Sequence, residues 1–174
     1  MGGCPSLFLG GPECYKPITK ARPKSERGPS TMLEDLRILV VDDDATIRRL
    51  VEHILRGVGV TALQSAGSAD LALAVVAKWR PDVLLVDYVM EGIDGITFTR
   101  LVRKTVDTAG RRLPIVIMTG YAELWRLDQA KKAGADEFLV KPFTAKALLS
   151  RIRRAVDASR RLAQGNHTTA DSPA

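Results

Sequence analysis

In the stretch ILVVDDDATIRRL, four apolar residues, Ile38 to Val41, run directly into Asp42, Asp43 and Asp44. A buried strand that ends on three like charges needs something to offset their repulsion. Three more apolar runs end on groups that can do chemistry: VLLV on Asp87, IVIM on Thr119 and FLV on Lys141. Taken singly, each Asp is an ordinary turn former or helix cap. Carboxylates after two runs, a hydroxyl after another and an amine after the last form a more specific pattern. If the runs are parallel strands, these side chains gather at one end of a sheet. Clustered acids destabilise one another unless a cation sits among them. A hard divalent ion such as Mg²⁺, which prefers oxygen ligands, resolves the repulsion.

The elements needed to bring these residues together are legible as alternating short β-rich runs and helical periods, the mark of a parallel sheet covered on both faces. The strands expected are Arg37–Val41, Thr61–Ser65, Val83–Val86, Ile115–Met118 and Glu137–Val140. The first helix carries Ile47, Leu50, Val51, Ile54 and Leu55 on one stripe and stops at Gly57. The last follows Thr144, a fitting N-cap, with Leu148, Leu149, Ile152, Ala155 and Val156 on its apolar side. Between them, helices are expected near Ala69–Trp79, Gly95–Thr105 and Ala122–Ala133. The fold class is α/β: a doubly wound (βα)5 domain with right-handed crossovers. Ligands of such sheets bind at the carboxyl ends of the strands, and a flavodoxin-like order 2-1-3-4-5 sets strands one and three side by side there. Asp87 then faces Asp42 and Asp43.

Composition is consistent with one globular domain. The chain has 174 residues, 45% apolar and 26% charged, with a formal charge of +6. Residues 1–31 hold five Lys/Arg against two acids, residues 32–158 nineteen against seventeen, and residues 159–174 two against one. The folded part is nearly neutral, without the concentrated basic face of a nucleic-acid binder, so no direct nucleic-acid contact is expected. No apolar run approaches the roughly 20 residues that span a bilayer, and SLFLGG is too short for a signal-peptide core. A cytoplasmic location with no membrane partner is expected. Residues 1–35 read as a flexible extension, 36–158 as the domain and 159–174 as a flexible tail. Met1-Gly2-Gly3-Cys4-Pro5-Ser6 fits a loose myristoylation pattern, but Pro5 is unusual in it. Cys4 and Cys14 have no metal-like spacing and read as free thiols.

The motifs VVDDD (Val40–Asp44), LLVDYVMEGIDG (Leu84–Gly95), IVIMTG (Ile115–Gly120) and FLVKPF (Phe138–Phe143), in this order and spacing, resemble the receiver domains of two-component response regulators. The resemblance covers the whole globular part. It implies that Asp87 is the phosphoacceptor, that Asp42 and Asp43 bind Mg²⁺ with Asp87, and that the backbone carbonyl of Val89 completes the protein's share of the metal shell. It also implies that Thr119 is a switch hydroxyl, Lys141 the amine paired with phosphate and Phe138 the switch aromatic, and that Lys141–Pro142 is a cis peptide bond aiming the Lys141 amine at the site. Asp44 falls outside the metal pair and is expected to cap the first helix. Glu91 departs from the pattern, since the family more often has Pro there. The chemistry agrees: phosphoryl transfer needs an in-line nucleophile and neutralised oxygens, which Asp87, Mg²⁺ and Lys141 supply.

The donor implied is a phosphohistidine on a sensor histidine kinase or a histidine phosphotransfer protein. The phosphoryl group, with charge about −2, draws in Thr119, lets Phe138 turn inward and reshapes the face of helix four, strand five and helix five. Output is expected through a protein docked there or through phosphate relay, from a monomer or a phosphorylation-dependent dimer. Trp125, on helix four, is either a contact on that face or folded back on the core, and Lys146, Arg153 and Arg154 read as the solvated side of helix five. Val89 and Tyr121, two residues beyond Asp87 and Thr119, border the approach of a hydrolytic water; the Val89 side chain cannot hydrogen-bond it, and Tyr121 is bulky enough to cover the opening. Slow self-dephosphorylation is expected, and no further enzymatic activity. Two alternatives share the residues. Asp42-x-Asp44-x-Thr46 fits the opening of haloacid-dehalogenase-like phosphatases, with Asp42 as nucleophile and Asp44 as acid, but leaves Asp87 unexplained. A receiver-like interaction module without phosphorylation is the other.

Overall fold

The computed structural model describes residues 32–106, 112–120 and 124–165. Among these residues, five strands and five α-helices alternate: β1 (Ile38–Val41), α1 (Ala45–Gly57), β2 (Leu63–Ala66), α2 (Ala69–Trp79), β3 (Val83–Asp87), α3 (Gly95–Val106), β4 (Ile115–Thr119), α4 (Leu124–Ala133), β5 (Glu137–Val140) and α5 (Ala145–Gly165). All strand pairs are parallel, in the order β2-β1-β3-β4-β5. This is the doubly wound order expected. The register pairs Val41 with Val86 and Thr119 with Val140, so the residues that follow β1 and β3, and β4 and β5, emerge side by side.

The sheet is buried on both faces, which is why its central strands read as continuous apolar runs rather than as alternation. Leu39, Val41, Leu84, Val86, Ile115 and Ile117 point to one face, where Ala72, Val76, Phe98, Val102 and Ala130 of α2, α3 and α4 cover them. Ile38, Val40, Leu85, Val116, Met118 and Leu139 point to the other, against Val51 and Leu55 of α1 and Leu148, Ile152 and Ala155 of α5. The alternation is the period of two that strand geometry imposes. Leu50 breaks the expected α1 stripe: it is 48% exposed, while Ile47 and Ile54 pack partly.

Every helix starts near the carboxyl end of a strand, and in α1, α2, α3 and α5 a side chain binds an amide left open by the first turn. Asp44 Oδ1 accepts from Thr46 N–H at 2.7 Å, as its capping role required. Asp94 does the same for Thr97 at 2.6 Å, Ser68 for Leu71 at 3.4 Å and Thr144 for Ala147 at 3.2 Å. The positive ends of the helix dipoles therefore collect on the side where the acids stand.

Most strand and helix ends fall within a residue of expectation, and three boundaries differ by more. The second strand begins at Leu63 rather than Thr61, because Ala62 already gives its carbonyl to the Ile38 amide and pairing along β1 starts from there. Leu33, assigned to the N-terminal extension, forms a short 3-10 turn with Glu34 and Asp35 and packs in the core with Leu36 and Val60. The last helix runs to Gly165, beyond the expected end at residue 158, and buried Ser159 donates its hydroxyl to the Arg112 carbonyl at 3.1 Å. Residues 1–31, with the myristoylation pattern, Cys4 and Cys14, lie outside the described residues. Among those described, no helix is long and apolar enough to cross a membrane.

Candidate functional site

Asp42 leaves β1 into the turn that starts α1, and local bonds hold it there. Its Oδ1 accepts from the Asp44 amide at 2.9 Å, while the Arg48 guanidinium, one turn into α1, donates to the Asp42 and Asp43 carbonyls at 2.7 and 3.1 Å. Asp87 closes β3. The chain behind it is fixed by Tyr88 N–H donating to Met118 at 2.7 Å and Gly95 N–H donating to Tyr88 at 3.0 Å. Gly95 is there of necessity: a Cβ on it would collide with the Asp87 carbonyl.

The expected convergence is present. Asp42, Asp43 and Asp87 each offer a carboxylate oxygen, and the three oxygens lie within 4.8 Å of one another. Asp42 and Asp87 are buried and Asp43 is exposed. Lys141 enters from the end of β5, its backbone N–H bonded to the Thr119 carbonyl at 2.7 Å. Its Nζ sits 2.8 Å from Asp42 Oδ2 and 2.8 Å from Asp87 Oδ1. The Lys141–Pro142 peptide is cis.

Burial pushes the Asp87 carboxyl above its ordinary pKa and neighbouring Asp42 pushes it further, against the opposing hydrogen bond from Lys141. For Lys141, burial disfavours the ammonium, yet its bonds to Asp42 and Asp87 outweigh that and raise its pKa. One ammonium does not fully compensate the carboxylates around it. An all-oxygen, acid-rich donor set with a residual deficit of positive charge fits a hard divalent cation.

Thr119 is buried at the end of β4 beside Lys141. Phe138 is partly buried against the α2–α4 core face. Val89, in the β3–α3 loop, has an exposed side chain. Tyr121 and the side chain of Trp125 lie outside the described residues. Asp44 caps α1 from an exposed position and is not among the three clustered acids. That separation counts against the pairing of Asp42 with Asp44 that a phosphatase of the alternative class requires.

Two contributors escaped the reading from residue types. Arg48 acts on main-chain carbonyls rather than on the acids themselves, though an Arg four residues after the capping Asp44 was an available signal. The backbone N–H of Glu91 donates to Asp43 Oδ2 at 3.0 Å. Its trace in the sequence was the departure from proline at that position.

Comparison with known proteins agrees with this geometry. A family model described as the response regulator receiver domain matches residues 38–153. The chemotaxis protein CheY of Pseudomonas aeruginosa is 34% identical over 119 residues, covering 68% of this chain and 94% of that one. The DNA-binding response regulator MtrA of Mycobacterium tuberculosis is 37% identical over 118 residues, covering 67% of this chain, which spans only 49% of that relative's length. Among solved structures, a response regulator from Chloroflexus aurantiacus superposes with a TM-score of 0.64 at 34% identity, over 70% of this chain and 98% of that one.

Proposed function

The chain belongs to the response-regulator receiver-domain family of phosphoacceptor signalling switches, and we propose that the accepting atom is a carboxylate oxygen of Asp87. The observation that carries this assignment is the placing of Asp87 at the end of β3, opposite Asp42 and sharing the Lys141 ammonium with it. Receiver domains in general exchange phosphate with kinases or phosphotransfer proteins. Here the donor is a phosphohistidine of a sensor histidine kinase or histidine phosphotransfer protein in the cytoplasm. Its P–N bond breaks as an Asp87–P bond forms, and the imidazole keeps the electron pair.

Asp42, Asp43 and Asp87, with the Val89 carbonyl, would hold Mg²⁺. When bound, the ion supplies the main counter-charge to the phosphoryl oxygens. The chain's own groups do the rest. Asp42 and Asp43 present oxygens from β1, and Lys141 moves from carboxylate to phosphoryl oxygen. Thr119, next to Lys141, donates its hydroxyl to the same group. Phe138, packed but not fully enclosed, turns inward as Thr119 shifts, and the face of α4, β5 and α5 changes for a downstream protein or a second copy.

Acetyl phosphate with Mg²⁺ tests the assignment by forming an acid-stable, base-labile adduct. Labelling lost in Asp87→Ala is the expected result; labelling that persists there and vanishes in Asp42→Ala would transfer the role to Asp42. Hydrolysis of the adduct is expected to be slow, since Val89 cannot hydrogen-bond an attacking water and orientation supplies much of the rate in such steps. Val89→Asn, Tyr121→Glu and the double variant should lose phosphate faster than wild type in a decay assay with Mg²⁺. Unchanged or slower decay in all three would show that these positions do not govern the phosphate's lifetime.

A further inference from the structure

The Asp43 carboxylate differs from its two neighbours. Asp42 and Asp87 are buried and held by Lys141, and Asp42 is also bound by the Asp44 amide. Asp43 is exposed, and among the described residues the Glu91 backbone N–H is the one hydrogen-bond donor to its carboxylate. That bond joins residues 48 positions apart, linking the turn after β1 to the β3–α3 loop. Proline has no N–H, so the bond exists only because Glu91 is not proline. The loop presenting it is tight: Gly92 takes the left-handed conformation at φ +82° and Ile93 N–H returns to the Glu91 carbonyl at 3.2 Å.

An exposed carboxylate exchanges rotamers, and a ligand that fixes it must offset the lost freedom. A donor already in place removes much of that cost. A carboxylate has lone pairs to spare on both oxygens, so an N–H on Oδ2 orients the group and leaves Oδ1 to bind a cation. We infer that the Glu91 backbone amide is a positioning group that pre-orients Asp43 for the divalent cation of the phosphorylation site. The inference rests on reading the three acids as a cation site. The Glu91 side chain is not required, and the β3–α3 loop, not only β1, sets the affinity for the metal.

The test separates amide from side chain. Mg²⁺ is titrated calorimetrically into the metal-free full chain as wild type, Glu91→Ala and Glu91→Pro, with an amide-to-ester replacement at position 91 that deletes the same N–H without proline's constraint on φ. Glu91→Ala should stay within about twofold of wild type, because an exposed charge is screened. Glu91→Pro and the ester should bind Mg²⁺ about tenfold more weakly, the low end for loss of a group that orients a metal ligand. Labelling by acetyl phosphate should need correspondingly more Mg²⁺ in those two, yet reach the wild-type rate at saturation. If Glu91→Pro does not fold, the ester decides. Mg²⁺ binding by the N–H-deleted forms equal to or tighter than that of Glu91→Ala would overturn the role of the amide. A wild-type chain that binds no Mg²⁺ would instead overturn the cation-site reading, and the inference with it.

Discussion

Asp87 is held where its charged form is disfavoured, by burial first and then by Asp42, and this has a consequence for stability that does not depend on signalling. Its folded pKa lies above the unfolded value of about 3.9. Its contribution to stability is therefore complete below that value and is lost as pH rises through the folded pKa. At neutral pH, ionised Asp87 costs the metal-free protein stability. Asp87→Asn keeps an oxygen for Lys141 and removes the charge, so it should melt higher than wild type at pH 7, with the gap closing as pH falls through the folded pKa of Asp87 and closed below about 4. Mg²⁺ should narrow the gap by binding wild type more tightly. A metal-free Asp87→Asn that melts at or below wild type at pH 7 would show that Lys141 already compensates the acids. Lys141 has the same sign: its folded pKa is raised, so its contribution is present at neutral pH and is lost only in strong alkali. At this scale most of the candidate site was legible, because Asp42, Asp43, Asp87, Thr119 and Lys141 bring to it side chains whose chemistry is written in their residue types. The Glu91 amide and the carbonyls bound by Arg48 belong to the backbone, which every residue shares, so residue type did not mark them.

Elements supply the precision that a site built at strand ends needs, and the far end of the sheet is secured by charge. Asp136, just before β5, has a side chain only 3% exposed and takes Arg103 and Arg112 at 2.7 Å each, together with the Ile115 amide at 2.8 Å. Arg103, on α3, also donates to the Leu113 and Gly134 carbonyls at 2.6 and 2.7 Å, tying α3 to the ends of β4 and α4. Removing one partner of such a network leaves a buried charge uncompensated. Asp136→Ala should cost about 3 kcal/mol, in line with broken buried pairs, read as a lower urea midpoint at unchanged slope. Its Mg²⁺ affinity should match wild type, since the network lies at the opposite end of β5 from Lys141. A loss of Mg²⁺ affinity with no loss of stability would mean that the two ends of the sheet communicate. This network was hidden in the sequence because Arg103, Arg112 and Asp136 are far apart along it and follow no period. The elements themselves were legible: β1, β3 and β4 are apolar runs buried on both faces. Leu50 misled because it lies at the edge of the α1 stripe, where a 3.6-residue period alone does not separate packed from exposed.

For the whole molecule, the question is how much chain the domain needs. A domain drawn from composition starts at Leu36 and ends at Ala158, since polar, Pro- and Gly-bearing sequence reads as tail on either side. The structure recruits a little from both. Leu33 sits 8% exposed against Leu36 and Val60, and α5 continues past Ala158 to place the Ser159 hydroxyl on the Arg112 carbonyl. Leu33 has no periodic signature, and Ser159, although it continues the buried stripe of Ala155 and Val156 on α5, is polar and so did not extend the apolar pattern. Full burial of a leucine side chain is worth about 1.5–3 kcal/mol, and a neutral hydrogen bond about 1 kcal/mol. A chain of residues 36–158 should therefore unfold at a lower urea concentration than one of residues 32–165, by an amount equivalent to about 2–4 kcal/mol from those two contributions. Leu33→Ala in the longer chain should recover most of the difference, as Leu33 carries the larger share. Equal midpoints for the two chains would return the boundaries to 36 and 158. The candidate phosphate site provides the internal control: its residues lie at the carboxyl ends of the strands, whereas Leu33 precedes β1 at their other end. The shorter chain should accordingly bind Mg²⁺ and accept phosphate from acetyl phosphate as the longer one does, at a temperature where both are folded.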